Sequence, residues 1–166
     1  LERIADNCVN IIQQLGYLDD PAYLHNYDYR QPFNDLLESL GSINAVLAER
    51  DLAGALRICK TEDELDRMYK VNFDLIMERL EAGGNARNLI TTLFIFRYLE
   101  RMGDSLLNVG EALIFAIIGE KIKIHQFQSL RQSLRDTGFE GSISDIDFQS
   151  FWGTRSGCRI SRATCR

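Results

Sequence analysis

NARNLITTLFIFRYLERMGDSLLNVGEALIFAIIG, residues 85–119, is the stretch that decides the fold. It holds no proline, and Leu89, Leu93, Leu107 and Ile118 fall in one angular sector at helical spacing. Asn85 suits the cap of the first turn, and Gly119 can end the last. One long helix is therefore expected over Ala86 to Ile118. Its apolar runs, Asn88 to Phe96 and Ala112 to Gly119, fall well short of the roughly 20 residues a membrane span needs. Arg97, Glu100, Arg101, Asp104 and Glu111 separate the two runs. The segment predicts a buried helix of a soluble protein, with no membrane insertion.

Working back from this helix, Gly83-Gly84 stops a preceding one that carries Leu52, Leu56, Cys59, Leu65, Met68, Phe73, Ile76 and Leu80. Asp51 is its expected N-cap. Before it, Pro32 suits a first helical residue, and Leu36, Leu37, Leu40, Ile43 and Leu47 mark an apolar side reaching about Arg50. Short joints between long helices make neighbours antiparallel. Residues 32–119 are thus expected to form an all-α, antiparallel three-helix bundle. Further back, Tyr17 to Gln31 reads as a loop. Residues 1–16 read as a helix through Ile4, Cys8, Ile11, Ile12 and Leu15, ended by Gly16. Working forward, residues 120–140 hold one more amphipathic helix, over Ile124 to Asp136. Residues 141–166, rich in Ser, Gly and Arg, read as a linker or the start of an appended domain.

The chain has 166 residues, 45% of them hydrophobic and 26% charged, as expected of a globular protein. A net charge of -5 argues against a nucleic-acid surface. Cys8, Cys59, Cys158 and Cys165 form no C-x-x-C pair, and Cys8 and Cys59 read as small core residues in a reducing compartment. His25 and His125 lie outside any Glu-x-x-His motif and are expected at the surface. Gly103 and Gly110, inside the long helix, are expected to permit close helix packing.

Leu1-Glu2-Arg3-Ile4-Ala5-Asp6 recurs as Leu99-Glu100-Arg101-Met102-Gly103-Asp104. Glu2 to Glu100 and Asn10 to Asn108 are both 98 residues apart. The common register reads as an internal duplication. The first copy starts inside its helix, so residues 1–16 read as the last helix of a truncated first repeat. Glu100, Asp104 and Asn108 are spaced by four and share a helix face, and Glu111 returns to within roughly 20° of Glu100. Glu62 and Asp66 are likewise four apart. Carboxylates in line with core residues need a counter-charge, and a cation can supply it. Carboxylate and amide oxygens suit Mg, Mn, Fe or Ca. The competing reading is a solvated face paired with arginines. One copy of the stripe makes that reading the stronger; two copies bring the odds level.

The two acidic motifs resemble the duplicated E/D-x-x-x-D motif of PhoU proteins. Asp51 to Arg57 with Glu62 and Asp66 is similar to that family's middle helix, and Leu93 to Asp104 to its third. The resemblance runs from Leu1 to about Phe127. It implies metal ligands at Glu62, Asp66, Glu100, Asp104 and Asn108, with Glu2 and Asp6 matching an incomplete first site. The implied cofactor is a divalent or trivalent ion such as Fe, Mg, Mn or Zn, up to a multinuclear cluster. It also implies a non-enzymatic, cytoplasmic regulator of phosphate uptake and phosphate-starvation signalling. The implied partners are the ATPase of a phosphate ABC transporter and a sensor histidine kinase, with a homodimer also allowed. Ala5 departs from the family's glycine, and the sequence after Gly138 is unlike the family. That leaves a second expectation, a helical accessory domain of a larger enzyme such as a kinase-like phosphotransferase beginning near Trp152.

Overall fold

The structure is a computed structural model and describes residues 1–119. Four helices follow one another: α1 (Glu2–Leu15), α2 (Arg30–Glu49), α3 (Leu52–Glu81) and α4 (Ala86–Ile118). A short 3-10 helix, Pro21–Asn26, lies between α1 and α2. No strand occurs among the described residues, and no helix there is long and apolar enough to cross a membrane. The expected helix near 124–136, the tail from 141 and the enzyme lobe near Trp152 lie outside the described residues.

Local chemistry sets the helix ends. The Asn85 side chain accepts the Asn88 N–H (3.2 Å), satisfying one orphan donor of α4. Gly119 closes α4 in the left-handed region at φ 82°, where glycine has no steric penalty. The α2–α3 joint is tighter: Arg50 itself turns left-handed (φ 54°) and donates to the Ile117 carbonyl at the end of α4. Asp51 then opens α3. The Gly54 amide foremost, and Arg57 after it, hold its carboxyl below the usual range.

α3 packs along α4, α2 lies chiefly against α3, and α1 lies against α4. The centre is the α3–α4 seam, where Ile58, Leu65, Ile76, Leu89, Phe96, Leu106 and Ile114 are at most 1% exposed. Each such side chain contributes roughly 1.5–3 kcal/mol by leaving water. Glycines set the closeness of the seam. A Cβ at Gly110 would collide with Cys59 Sγ, and one at Gly103 would lie 3.0 Å from Leu65 Cδ1.

Four expectations need correction. Leu36 is buried as expected, but Leu37 and Leu47 are half exposed and Val46 is buried beside Leu36. Leu40 and Ile43 also pack on the core, so the apolar arc of α2 is narrower than expected: α2 rests chiefly on α3, and the side carrying Leu37 and Leu47 stays exposed. Phe73 and the first-turn Leu52 and Leu56 are likewise exposed on α3. Pro32 is the third residue of α2, not the first; Tyr29 caps the helix, and a first-turn proline gives up no intrahelical bond. Residues 17–31 are no plain loop, since Leu18, Leu24 and Tyr27 are buried there. Finally, Cys59 is a core residue but Cys8 is exposed.

Candidate functional site

Glu62 and Asp66 are one turn apart on α3, and Glu100 and Asp104 one turn apart on α4. Gly103 lets the helices meet here: a Cβ on it would be 3.4 Å from the Glu62 Cα. Glu62 therefore stands beside the turn of α4 that carries Glu100 and Asp104.

Glu100 is the strained member. Its side chain is 13% exposed, and its Oε1 accepts from the Arg97 guanidinium. Its Oε2 is buried with no hydrogen-bond partner. Burial pushes its carboxyl above the ordinary glutamate range, the charge of Asp104 pushes the same way, and Arg97 opposes both. Asp66 also adds to the upward push. Asp66 accepts from Lys70 Nζ at 2.6 Å. The Lys70 ammonium is raised by that bond first, with Glu62 and Glu100 contributing. Glu62, Asp66, Glu100 and Asp104 thus share one electrostatic neighbourhood.

Asn108, Glu2 and Asp6 stand apart from it. Asn108 is exposed and turns its amide back to the Asp104 carbonyl (2.8 Å). It lines a groove of about 660 Å³ with Glu2, Arg3, Leu47, Val109 and Leu113. Glu2 and Asp6 are exposed on α1.

Among the described residues, no three His, Cys, Asp or Glu side chains converge closely enough to hold a metal ion. Lys70 and Arg97 supply counter-charge themselves. Arg97 is further held over the Tyr69 ring, 5.5 Å from its centroid. The sequence shows Arg97 among the charges between the two apolar runs, but Lys70 was missed. Its signal was plain: a lysine four residues after Asp66 is the favoured helical ion-pair order. The chemistry of the donors, though not their spacing, is that of a hard-cation site. Four carboxylates, one of them with a buried and unpartnered oxygen, suit Mg, Mn or Fe better than Zn, which favours nitrogen and sulfur. The neighbourhood offers no reactive thiol: burial, and then the charge of Glu111, push Cys59 up to about 12.

A family model, the PhoU domain, matches residues 33–113. The chain is similar to the phosphate-specific transport system accessory protein PhoU homolog of Clostridium acetobutylicum, at 30% identity over 130 residues, 75% of this chain and 58% of that protein. The homolog of Borreliella burgdorferi is 29% identical over 131 residues, 75% and 59% of the two chains. Homolog 1 of Thermotoga maritima is 28% identical over 126 residues, 74% and 54%. The chain spans a little over half the length of these relatives. No solved structure matches it.

Proposed function

The chain belongs to the PhoU family, and from that premise we propose that it serves in the accessory control of phosphate uptake and phosphate-starvation signalling. The observation that carries this reading is the match of residues 33–113 to the PhoU domain, which is the α2–α4 bundle. The proposed mode of action is docking by the bundle surface onto cytoplasmic partners, the ATPase of a phosphate ABC transporter and a sensor histidine kinase. No covalent step is assigned. Deleting the gene and following phosphate uptake and starvation-gene output tests the role. Starvation genes expressed in phosphate-rich medium are expected; normal repression would sink the reading.

In the same proposal Glu62, Asp66, Glu100 and Asp104 hold a metal ion, with Asn108 one turn further along α4, while Glu2 and Asp6 belong to the incomplete first-repeat site. When bound, the ion supplies positive charge across the α3–α4 seam. The residues' own part is to present oxygens from two helices, with Gly103 keeping the helices close. Arg97 and Lys70 hold Glu100 and Asp66 and must yield to the ion. Support comes from the orphaned Glu100 oxygen and from the carboxylates that crowd it. Elemental analysis of the purified chain beside E100A/D104A tests it. A clear loss of metal in the variant is expected; equal content would remove both residues from the ligand set.

A further inference from the structure

Arg97 has two holds, and only one of them is on a candidate metal ligand. Its guanidinium donates to Glu100 Oε1, three residues further along α4. It also lies over the Tyr69 ring of α3, 5.5 Å from the centroid, where the negative face of the ring attracts it. Tyr69 in turn touches Phe73, one turn further along α3, with ring centroids 6.0 Å apart. Phe73 is 37% exposed and adds little to the core. Its contact is with the ring that braces Arg97. Phe73 thus bears on Tyr69, Tyr69 on Arg97, and Arg97 on Glu100.

Glu100 cannot keep this partner and give the same oxygen to an ion. No three donors converge among the described residues, and two of the four carboxylates are drawn to cations of the chain instead, Glu100 to Arg97 and Asp66 to Lys70. The Arg97 side chain is 48% exposed, so water competes for it. The Tyr69 ring opposes that competition. We propose that Tyr69 is a positioning residue that sets the metal affinity of the site, by making the ion displace a braced cation from Glu100 and not a loose one. A ring that holds Arg97 against Glu100 therefore weakens the site's hold on the ion. The inference rests on the metal reading of Glu62, Asp66, Glu100 and Asp104 given above.

Titration of the metal-stripped full chain with Mn2+, the free ion read by its electron paramagnetic resonance signal, tests it. Y69L is expected to bind Mn2+ about threefold more tightly than the unmodified chain, the change that loss of a partly exposed cation–π contact gives. Y69F keeps the ring and is expected to leave the affinity unchanged. R97M removes the charge-assisted bond itself and is expected to tighten binding by about tenfold. Y69L/R97M is expected to match R97M alone, because the ring acts only through Arg97. A Y69L affinity equal to or weaker than that of the unmodified chain overturns the inference and leaves the metal reading standing. Additive effects in the double variant overturn it as well, since Tyr69 then acts by another route. If none of these chains binds Mn2+, the metal reading fails and the inference with it. Should Y69L not fold, Y69M refills the space without a ring and carries the same expectation and the same outcomes.

Discussion

Gly110 and Gly41 are both helical glycines, and their surroundings give them opposite roles. A methyl group at Gly110 would strike Cys59, whereas one at Gly41 would meet nothing within 4 Å. G110A is expected to cost about 1–3 kcal/mol by overpacking the α3–α4 seam. G41A is expected to add roughly 0.5–1 kcal/mol by reducing the freedom of the unfolded chain. Urea titrations of both variants check the sign and size. The cysteines divide the same way. Cys59 is buried with its thiol pushed up to about 12, and Cys8 is exposed. Alkylation at pH 8 with peptide mapping should label Cys8 at once and Cys59 only after denaturation; fast labelling of Cys59 would contradict the packing.

At the scale of elements, the packing of residues 17–29, between α1 and α2, gives a pH signature. Burial first, then Tyr23, pushes the Tyr27 phenol up to about 12 against the opposing pull of Arg79. The neutral phenol is the form the fold prefers. Its contribution is therefore complete below the unfolded value of 10.0 and is lost as pH rises through about 12. Alkaline melts of Y27F should lack this loss, and absorbance titration should show one fewer late-ionising tyrosine. Asn85 serves two elements at once, capping α4 and holding Asp19. N85A should cost about 1 kcal/mol in a denaturant melt, the usual value of an N-cap. No change in stability would mean the cap is replaced by water.

For the whole molecule, stability is graded. α3 and α4 share the fully buried seam, while α2 contributes only Leu36 and Val46 to the buried set. Amides of α2 should therefore exchange faster than the central amides of α3 and α4. Equal protection would show that the bundle opens only as a whole. The acidic neighbourhood lies on the seam, between the two best-anchored helices. The proposed cation would tie together the two helices that share the most buried surface.

Capping and periodicity act within a few residues, so the sequence by itself determined the helices. Gly83-Gly84-Asn85 ends one helix and caps the next through local bonds, and Gly119 closes the last. The close approach at Gly103 and Gly110 was legible for the same reason: a glycine inside a strong helix needs a packing cause. Other features depend on where a neighbour lies in space. Periodicity offered Leu37 and Leu47 as readily as Leu36 and passed over Val46, and only the packing around α2 decided that Leu36 and Val46 are buried. The burial of Tyr27 depends on Phe96 and Arg79, more than fifty residues away in sequence. The acidic positions of the candidate site could be picked out along the chain, yet their state could not. Helical spacing already sets Arg97 beside Glu100 and Lys70 beside Asp66, but whether a carboxylate oxygen is buried and left without a partner, as Glu100 Oε2 is, depends on the side chains packed around it.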